Sequence, residues 1–352
     1  MPRIDEFLRA GLEQRASDMH LTVDLPFLMR VQGELVALGE RPLTRSETKS
    51  LVYEILTPAQ REHLEKHRDL DFAYRLQGRN RFRCSAYHQR LGLDGVFHVI
   101  PENIPALADT GLPMNIKEFT ELGQGMVMVA GPRGSGKSTT QAVLIDLINT
   151  NQRRHIITVE DPIEFIHRNK SSLINQREVG THTGSFAGAL RQALRADPDI
   201  ILVGEMRDLE TISMAVTAAE TGHLVLGTLH TSSAVQTIDR IIDVFPGTQK
   251  QQIRMMVSES LKGIVCQQLI KSIRMAKMEV AVEILAGIPA ISNLIREGKT
   301  FQIPSIIQMS AHLGMRTMDD SLLALLREHR ISYDDAIIRA SDKKKFVRYA
   351  PV

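Results

Sequence analysis

The sequence predicts two unlike domains: a small α+β domain, then a doubly wound α/β domain with a mostly parallel sheet and a helical end. Three observations carry this. Its 352 residues exceed one typical domain. Helix and strand signals mix over the first hundred residues or so, whereas from Ile116 onward apolar strands alternate with helices, the pattern of a parallel sheet. Between the two, Pro101, Pro105 and Pro113 mark a stretch with little periodicity. The expected divisions are 1–100, a linker over 101–115, an α/β core over 116–288 and a helical region over 289–352.

In the first domain Ile4, Phe7, Leu8 and Leu12 form the apolar face of an opening helix, and residues 27–31, 71–74 and 81–84 look like sheet strands. In the second, 126–130, 156–159, 200–203 and 224–228 read as strands, with helical patterns at 138–149, 184–196 and 209–221. After Glu283 the pattern turns helical, including 318–329, and carries the basic run Lys343-Lys344-Lys345. No internal repeat is present.

Composition narrows the function. Lys and Arg number 43 against 41 Asp and Glu, a net charge of +2 that offers no polycation for wrapping nucleic acid. Aromatics are 5% and Trp is absent, so stacking platforms for single strands are scarce. No apolar stretch approaches the roughly 18 residues of a membrane span, and the start of the chain has no signal-peptide segment, so the expected location is cytoplasmic. Cys84 and Cys266 are too few for a tetracysteine zinc site and read as small packed residues.

The most informative stretch is Gly131-Pro132-Arg133-Gly134-Ser135-Gly136-Lys137-Ser138, the phosphate-binding pattern G-x-x-x-x-G-K-S. An apolar strand precedes it and a helix beginning Ser138-Thr139 follows, which is the order this loop requires. Gly134 and Gly136 let the backbone curl so that successive N–H groups face one point, to which the helix N-terminus adds its partial positive charge. Lys137 would reach the terminal phosphates and Ser138 would ligate magnesium. The candidate nucleotide-binding residues are Gly131, Pro132, Gly134, Ser135, Gly136, Lys137, Ser138 and Thr139. ATP or ADP with Mg2+ is the expected ligand.

Two acidic groups follow apolar strands. Glu205 emerges from the end of 200–203, where α/β sheets bind ligands, and is placed to hold magnesium opposite Ser138. The segment Val159-Glu160-Asp161-Pro162-Ile163-Glu164 offers carboxylates to orient and deprotonate water. Either Glu160 or Glu164 fits that task, and their chemistry does not choose between them. At the end of the strand His223-Leu224 to Leu229-His230, His230 would reach the same sheet edge as Glu205 and contact the terminal phosphate.

These blocks, in this order and over nearly the whole chain, resemble the secretion ATPases of the type II and type IV pilus superfamily, most closely the pilus retraction ATPases of the PilT type. Besides the phosphate loop, the resemblance rests on residues 159–164 (an Asp box), 197–211 (a Walker B segment), 221–231 (a His box), Ala16-Ser17-Asp18-Met19-His20-Leu21, and Ala290-Ile291-Ser292-Asn293-Leu294-Ile295-Arg296-Glu297. Ser292 stands where the family's retraction motif has Arg, Arg133 where its loop usually has Thr, and Thr22-Val23-Asp24 where a Gly-containing turn is usual. The resemblance implies a PAS-like N-terminal domain followed by a RecA-like P-loop ATPase domain, assembled as a homohexamer. It further implies Glu164 as the water-activating base, Glu205 on magnesium, His230 near the terminal phosphate, and Arg81 and Arg83 reaching nucleotide at the ring interface. The implied partner is a pilus platform protein at the cytoplasmic face of the inner membrane, with a paralogous retraction ATPase as a further candidate. An extension ATPase would carry an added N-terminal region and a tetracysteine site. A RecA-like nucleic-acid translocase would need basic pore loops, and a nucleotide-gated adaptor would bind ATP without turnover.

Overall fold

A computed structural model describes residues 2–31, 33–76, 80–100, 103–275 and 277–350. Residues 101 and 102 of the expected linker lie outside them. The chain divides into two compact units, one taking in the chain through Asn103 together with Glu164–Ile166, the other Ile104–Ile163 and the chain from His167 onward.

The first unit opens with helix α1 (Ile4–Glu13), followed by strands β1 (Asp18–Leu21), β2 (Phe27–Val31) and β3 (Glu34–Leu38). Helices α2 (Arg45–Tyr53) and α3 (Pro58–His67) come next, then β4 (Asp69–Arg75), β5 (Arg81–His88) and β6 (Leu93–Ile100). Both α2 and α3 start at capping boxes, Thr44 with Glu47 and Thr57 with Gln60, which satisfy backbone N–H groups that a helix start leaves open. The strands pair antiparallel in the order β3-β2-β1-β6-β5-β4. Ile4 and Leu8 of α1 are buried with Phe82 and Phe97, so the amphipathic opening helix covers the sheet's apolar face. Cys84 is in the same core, a packed thiol whose pKa burial pushes up.

In the second unit β7 (Gly125–Ala130) leads into α4 (Lys137–Asn151), then β8 (His155–Glu160), β9 (Leu173–Glu178), α5 (Phe186–Ala193), β10 (Ile200–Val203), α6 (Leu209–Glu220) and β11 (Leu224–Leu229). Helices α7 (Ala234–Asp243) and α8 (Lys250–Ser260) precede β12 (Leu261–Lys271) and β13 (Met278–Ala286). Helices α9 (Pro289–Arg296), α10 (Ile303–Met309), α11 (Met318–Arg327) and α12 (Tyr333–Arg339) follow. The sheet order is β13-β12-β7-β11-β10-β8-β9, parallel throughout except for β13, which runs antiparallel to β12. Every residue of β7 is buried, as expected of a central parallel strand covered on both faces. Its two faces serve two clusters: Met126 and Met128 pack with Ile212 and Ile238, Val127 and Val129 with Leu144 and Ile148.

Six strands lie where the sequence reading had none: β1, β3 and β6 in the first unit, and β9, β12 and β13 in the second. The helical region accordingly starts after Ala286 rather than after Glu283. The helix expected at 184–196 is shorter, because Ser185 caps it by accepting from the Gly188 N–H, and its last turn gives way before Asp197, which sits at φ +52°.

Candidate active site

At the carboxyl end of the parallel sheet, β7, β11, β10 and β8 deliver their following loops side by side. Gly131, Gly134 and Gly136 take φ of +148°, +74° and +87°, a backbone region that side chains disfavour. Gly131 is doubly constrained, since a Cβ there would lie 2.3 Å from the carbonyl oxygen of Gln267 on β12. Gly131→Ala is therefore expected to displace the loop and to weaken nucleotide binding by at least about tenfold. Titration with ADP checks this.

Lys137, the first residue of α4, is buried, and its Nζ donates to the carbonyls of Gly131 and Pro132 at 2.8 Å each. Ser135 Oγ is buried without a hydrogen-bond partner among the described residues. Ser138 and Thr139 are half-buried at the start of α4. A ring of curled peptides, an amine held across it and a buried hydroxyl without a partner suit a polyphosphate, and Ser138 with Glu205 would offer the hard oxygen ligands magnesium takes.

Glu205 follows β10. Its Oε1 lies 3.0 Å from His230 Nε2, and its Oε2 accepts from Arg207 at 2.6 Å. Partial burial pushes the Glu205 carboxyl up, but the hydrogen bond and charge of Arg207, with the charges of His230 and Arg133, hold it below the usual range. It is a carboxylate at neutral pH. Arg133 itself is exposed, so the loop's unusual residue acts on this carboxylate by charge. Thr228 of β11 donates its hydroxyl to the Gly204 carbonyl, tying together the two strand ends that carry His230 and Glu205.

Glu160 ends β8 beside Gly204: a Cβ on that glycine would lie 3.2 Å from Glu160 Cα. Thr158 Oγ1 donates to Glu160 at 2.6 Å and Gln176 Nε2 at 3.0 Å, so this carboxylate is held by neighbours rather than offered freely to water. The Asp161–Pro162 peptide is cis. Glu164 is half-buried and counts with the first unit, as do Arg81 and Arg83. Those two arginines are half-buried on one face of β5, opposite buried Phe82 and Cys84. The structure thus gathers the phosphate loop, Glu205, His230 and Glu160 at one sheet edge, and carries Glu164, Arg81 and Arg83 on the other unit.

Sequence reasoning missed three residues here. Gln176 accepts from the His167 N–H at 2.8 Å as well as holding Glu160. Buried Glu178 accepts from the Ile163 N–H at 3.0 Å and so fixes the chain one residue before Glu164. Gln267 reaches the phosphate loop from β12. None lies in a recognisable motif: Gln267 acts across 132 residues, and Gln176 and Glu178 act from β9, a strand the sequence does not mark.

A family model described as type II/IV secretion system protein matches residues 2–312. The chain is 46% identical over 343 residues to the type IV pilus retraction ATPase PilT of Pseudomonas aeruginosa, covering 97% of this chain and 99% of that protein. It is 37% identical to the type IV pilus ATPase PilU of the same organism, over 96% of this chain and 88% of the relative. Among solved structures, that of the pilus retraction motor PilT with bound ADP matches with a TM-score of 0.89 at 43% identity, covering 98% of this chain and 99% of that one. The Legionella pneumophila ATPase DotB matches with a TM-score of 0.83 at 28% identity, covering 95% and 94%.

Proposed function

The chain belongs to the type II/IV secretion system protein family, and we propose that it is an ATPase motor that powers type IV pilus retraction. The observation that carries this is the convergence of a complete phosphate loop with Glu205 and His230 at one edge of one parallel sheet. Similarity to PilT along both chains supports the same reading.

In this reading the N–H groups of the loop and the α4 N-terminus take the phosphates of ATP. Lys137 turns from the Gly131 and Pro132 carbonyls to the terminal phosphates. Ser138 and Glu205 would hold magnesium, which would supply positive charge where charge develops on the transferring phosphoryl group. Glu164 orients a water and takes its proton as the water oxygen bonds to the γ-phosphorus. The bond from that phosphorus to the bridging oxygen breaks, and ADP leaves with the electron pair. Glu160, already engaged by Thr158 and Gln176, shapes the loop that presents Glu164. His230, 3.0 Å from Glu205, contacts the γ-phosphate and would register its departure. Arg81 and Arg83 serve as arginine fingers toward the nucleotide of a neighbouring subunit in a homohexamer. Rotation of the PAS-like domain against the RecA-like domain then drives a pilus platform protein at the cytoplasmic face of the inner membrane, alone or with a paralogous retraction ATPase. Among the described residues no helix is long and apolar enough to cross a membrane.

Purified protein given ATP and magnesium is expected to release phosphate steadily from particles whose light-scattering mass is that of a hexamer. ATP binding without phosphate release, even at high protein concentration, overturns the motor in favour of an adaptor. Acceleration by single-stranded DNA favours a translocase.

A further inference from the structure

Gln267 is 2% exposed, at the point where β12 runs past the end of β7. Both ends of its amide are engaged. Nε2 donates to the Ser135 carbonyl at 2.5 Å, and Oε1 accepts from Thr140 Oγ1 at 2.8 Å, so one side chain bridges the middle of the phosphate loop and the first turn of α4. Nε2 also lies 3.1 Å from where a Cβ on Gly136 would be, and the Gln267 carbonyl faces Gly131 in the same way. The neighbouring strand thus holds the loop by a hydrogen bond at Ser135 and approaches it too closely for a side chain at Gly131.

We propose that Gln267 is a positioning residue for nucleotide binding, setting the orientation of the Ser135–Gly136 peptide. A trans peptide is planar, with its C=O and N–H pointing in opposite directions. Holding the Ser135 carbonyl outward, toward β12, therefore turns the Gly136 N–H inward, toward the concave side of the loop where a phosphate is received. The Thr140 bond keeps the amide from rotating: with its oxygen committed to the hydroxyl, only its nitrogen faces the carbonyl. Without the bridge, the curled loop with its positive-φ glycines samples other peptide orientations, and bound nucleotide must reorder it. The inference rests on the ATPase reading, since it names the ligand as a nucleoside polyphosphate.

The test measures the affinity of full-length Gln267→Met for a fluorescent ADP analogue in EDTA, alongside the melting temperature without nucleotide. Met keeps the length and volume of the side chain and removes both hydrogen bonds. ADP affinity is expected to fall about tenfold, and in ATP turnover KM is expected to rise with kcat retained to within about threefold. A merely structural role lowers the melting temperature and leaves the affinity of the folded protein unchanged; affinity within about twofold of the parent overturns the inference. Thr140→Val removes only the far end of the bridge and is expected to cost about threefold in affinity. If Gln267→Met does not fold, this second variant decides, and unchanged affinity there overturns the inference equally. A parent that binds no ADP overturns the ATPase reading and this inference with it.

Discussion

Lys137→Ala lowers the affinity for ATP and ADP by about a hundredfold, close to 2.8 kcal/mol at about 1.4 kcal/mol per tenfold. The size follows from what the amine does. It is buried at the root of α4, where a hydrogen bond from a charged donor is worth about 1.5–3 kcal/mol, and the alanine leaves the phosphates one fixed cation short. The same substitution removes the bonds to the Gly131 and Pro132 carbonyls. The donor is charged and the Gly131 acceptor is buried, so the unliganded fold also loses about 1.5–3 kcal/mol per bond. Calorimetric titration separates the two effects when read beside a melting curve taken without nucleotide. Unchanged ATP affinity in a folded Lys137→Ala protein removes the loop from the binding site.

This loop was legible in the sequence because its information is local. Gly134 and Gly136 adopt the positive φ that the pattern requires, and strand, loop and helix adjoin in the chain. The parallel strands carrying Glu160, Glu205 and His230 were legible for a related reason: buried on both faces, they read as unbroken apolar runs, and their order along the chain put the polar residue at each carboxyl end. What stayed hidden is what depends on contact between segments that only the assembled sheet brings together. β12 follows α8 with no intervening turn residue, and Lys262, Gln267 and Gln268 interrupt its apolar run, so neither punctuation nor period marked it. β9, Leu-Ile-Asn-Gln-Arg-Glu, has the composition of a loop, being an edge strand that among the described residues pairs only with β8. The polar residues on these two strands, Gln267, Gln176 and Glu178, are the ones that brace the site. Their side chains are explained by their partners, and the partners become visible only once the sheet is assembled.

Glu205→Gln binds ATP and stalls its hydrolysis, with turnover lower by at least about a hundredfold, some 2.7 kcal/mol of barrier at 1.36 kcal/mol per tenfold. The carboxylate is ionised at neutral pH, held below its usual range despite partial burial by Arg207, His230 and Arg133. An amide keeps its shape but not its charge. Of its two ends only the oxygen can still accept from Arg207 or His230; the other end presents N–H to whichever partner remains. The ion pair with Arg207 is partly exposed, so its loss alone costs little stability and the variant is expected to fold. In the proposed role it loses a hard anionic ligand, so the magnesium concentration for half-maximal turnover should rise along with the fall in rate. Glu164→Gln supplies the contrast. In its proposed role as the base that receives the water proton, it should lower turnover comparably while leaving magnesium dependence unchanged, because that role does not place it on the metal. Titrating magnesium into both variants under saturating ATP reads the difference directly. Full turnover in Glu205→Gln would remove it from the mechanism, whereas an unshifted magnesium requirement with stalled chemistry would reassign it from holding the metal to orienting His230, its partner at 3.0 Å.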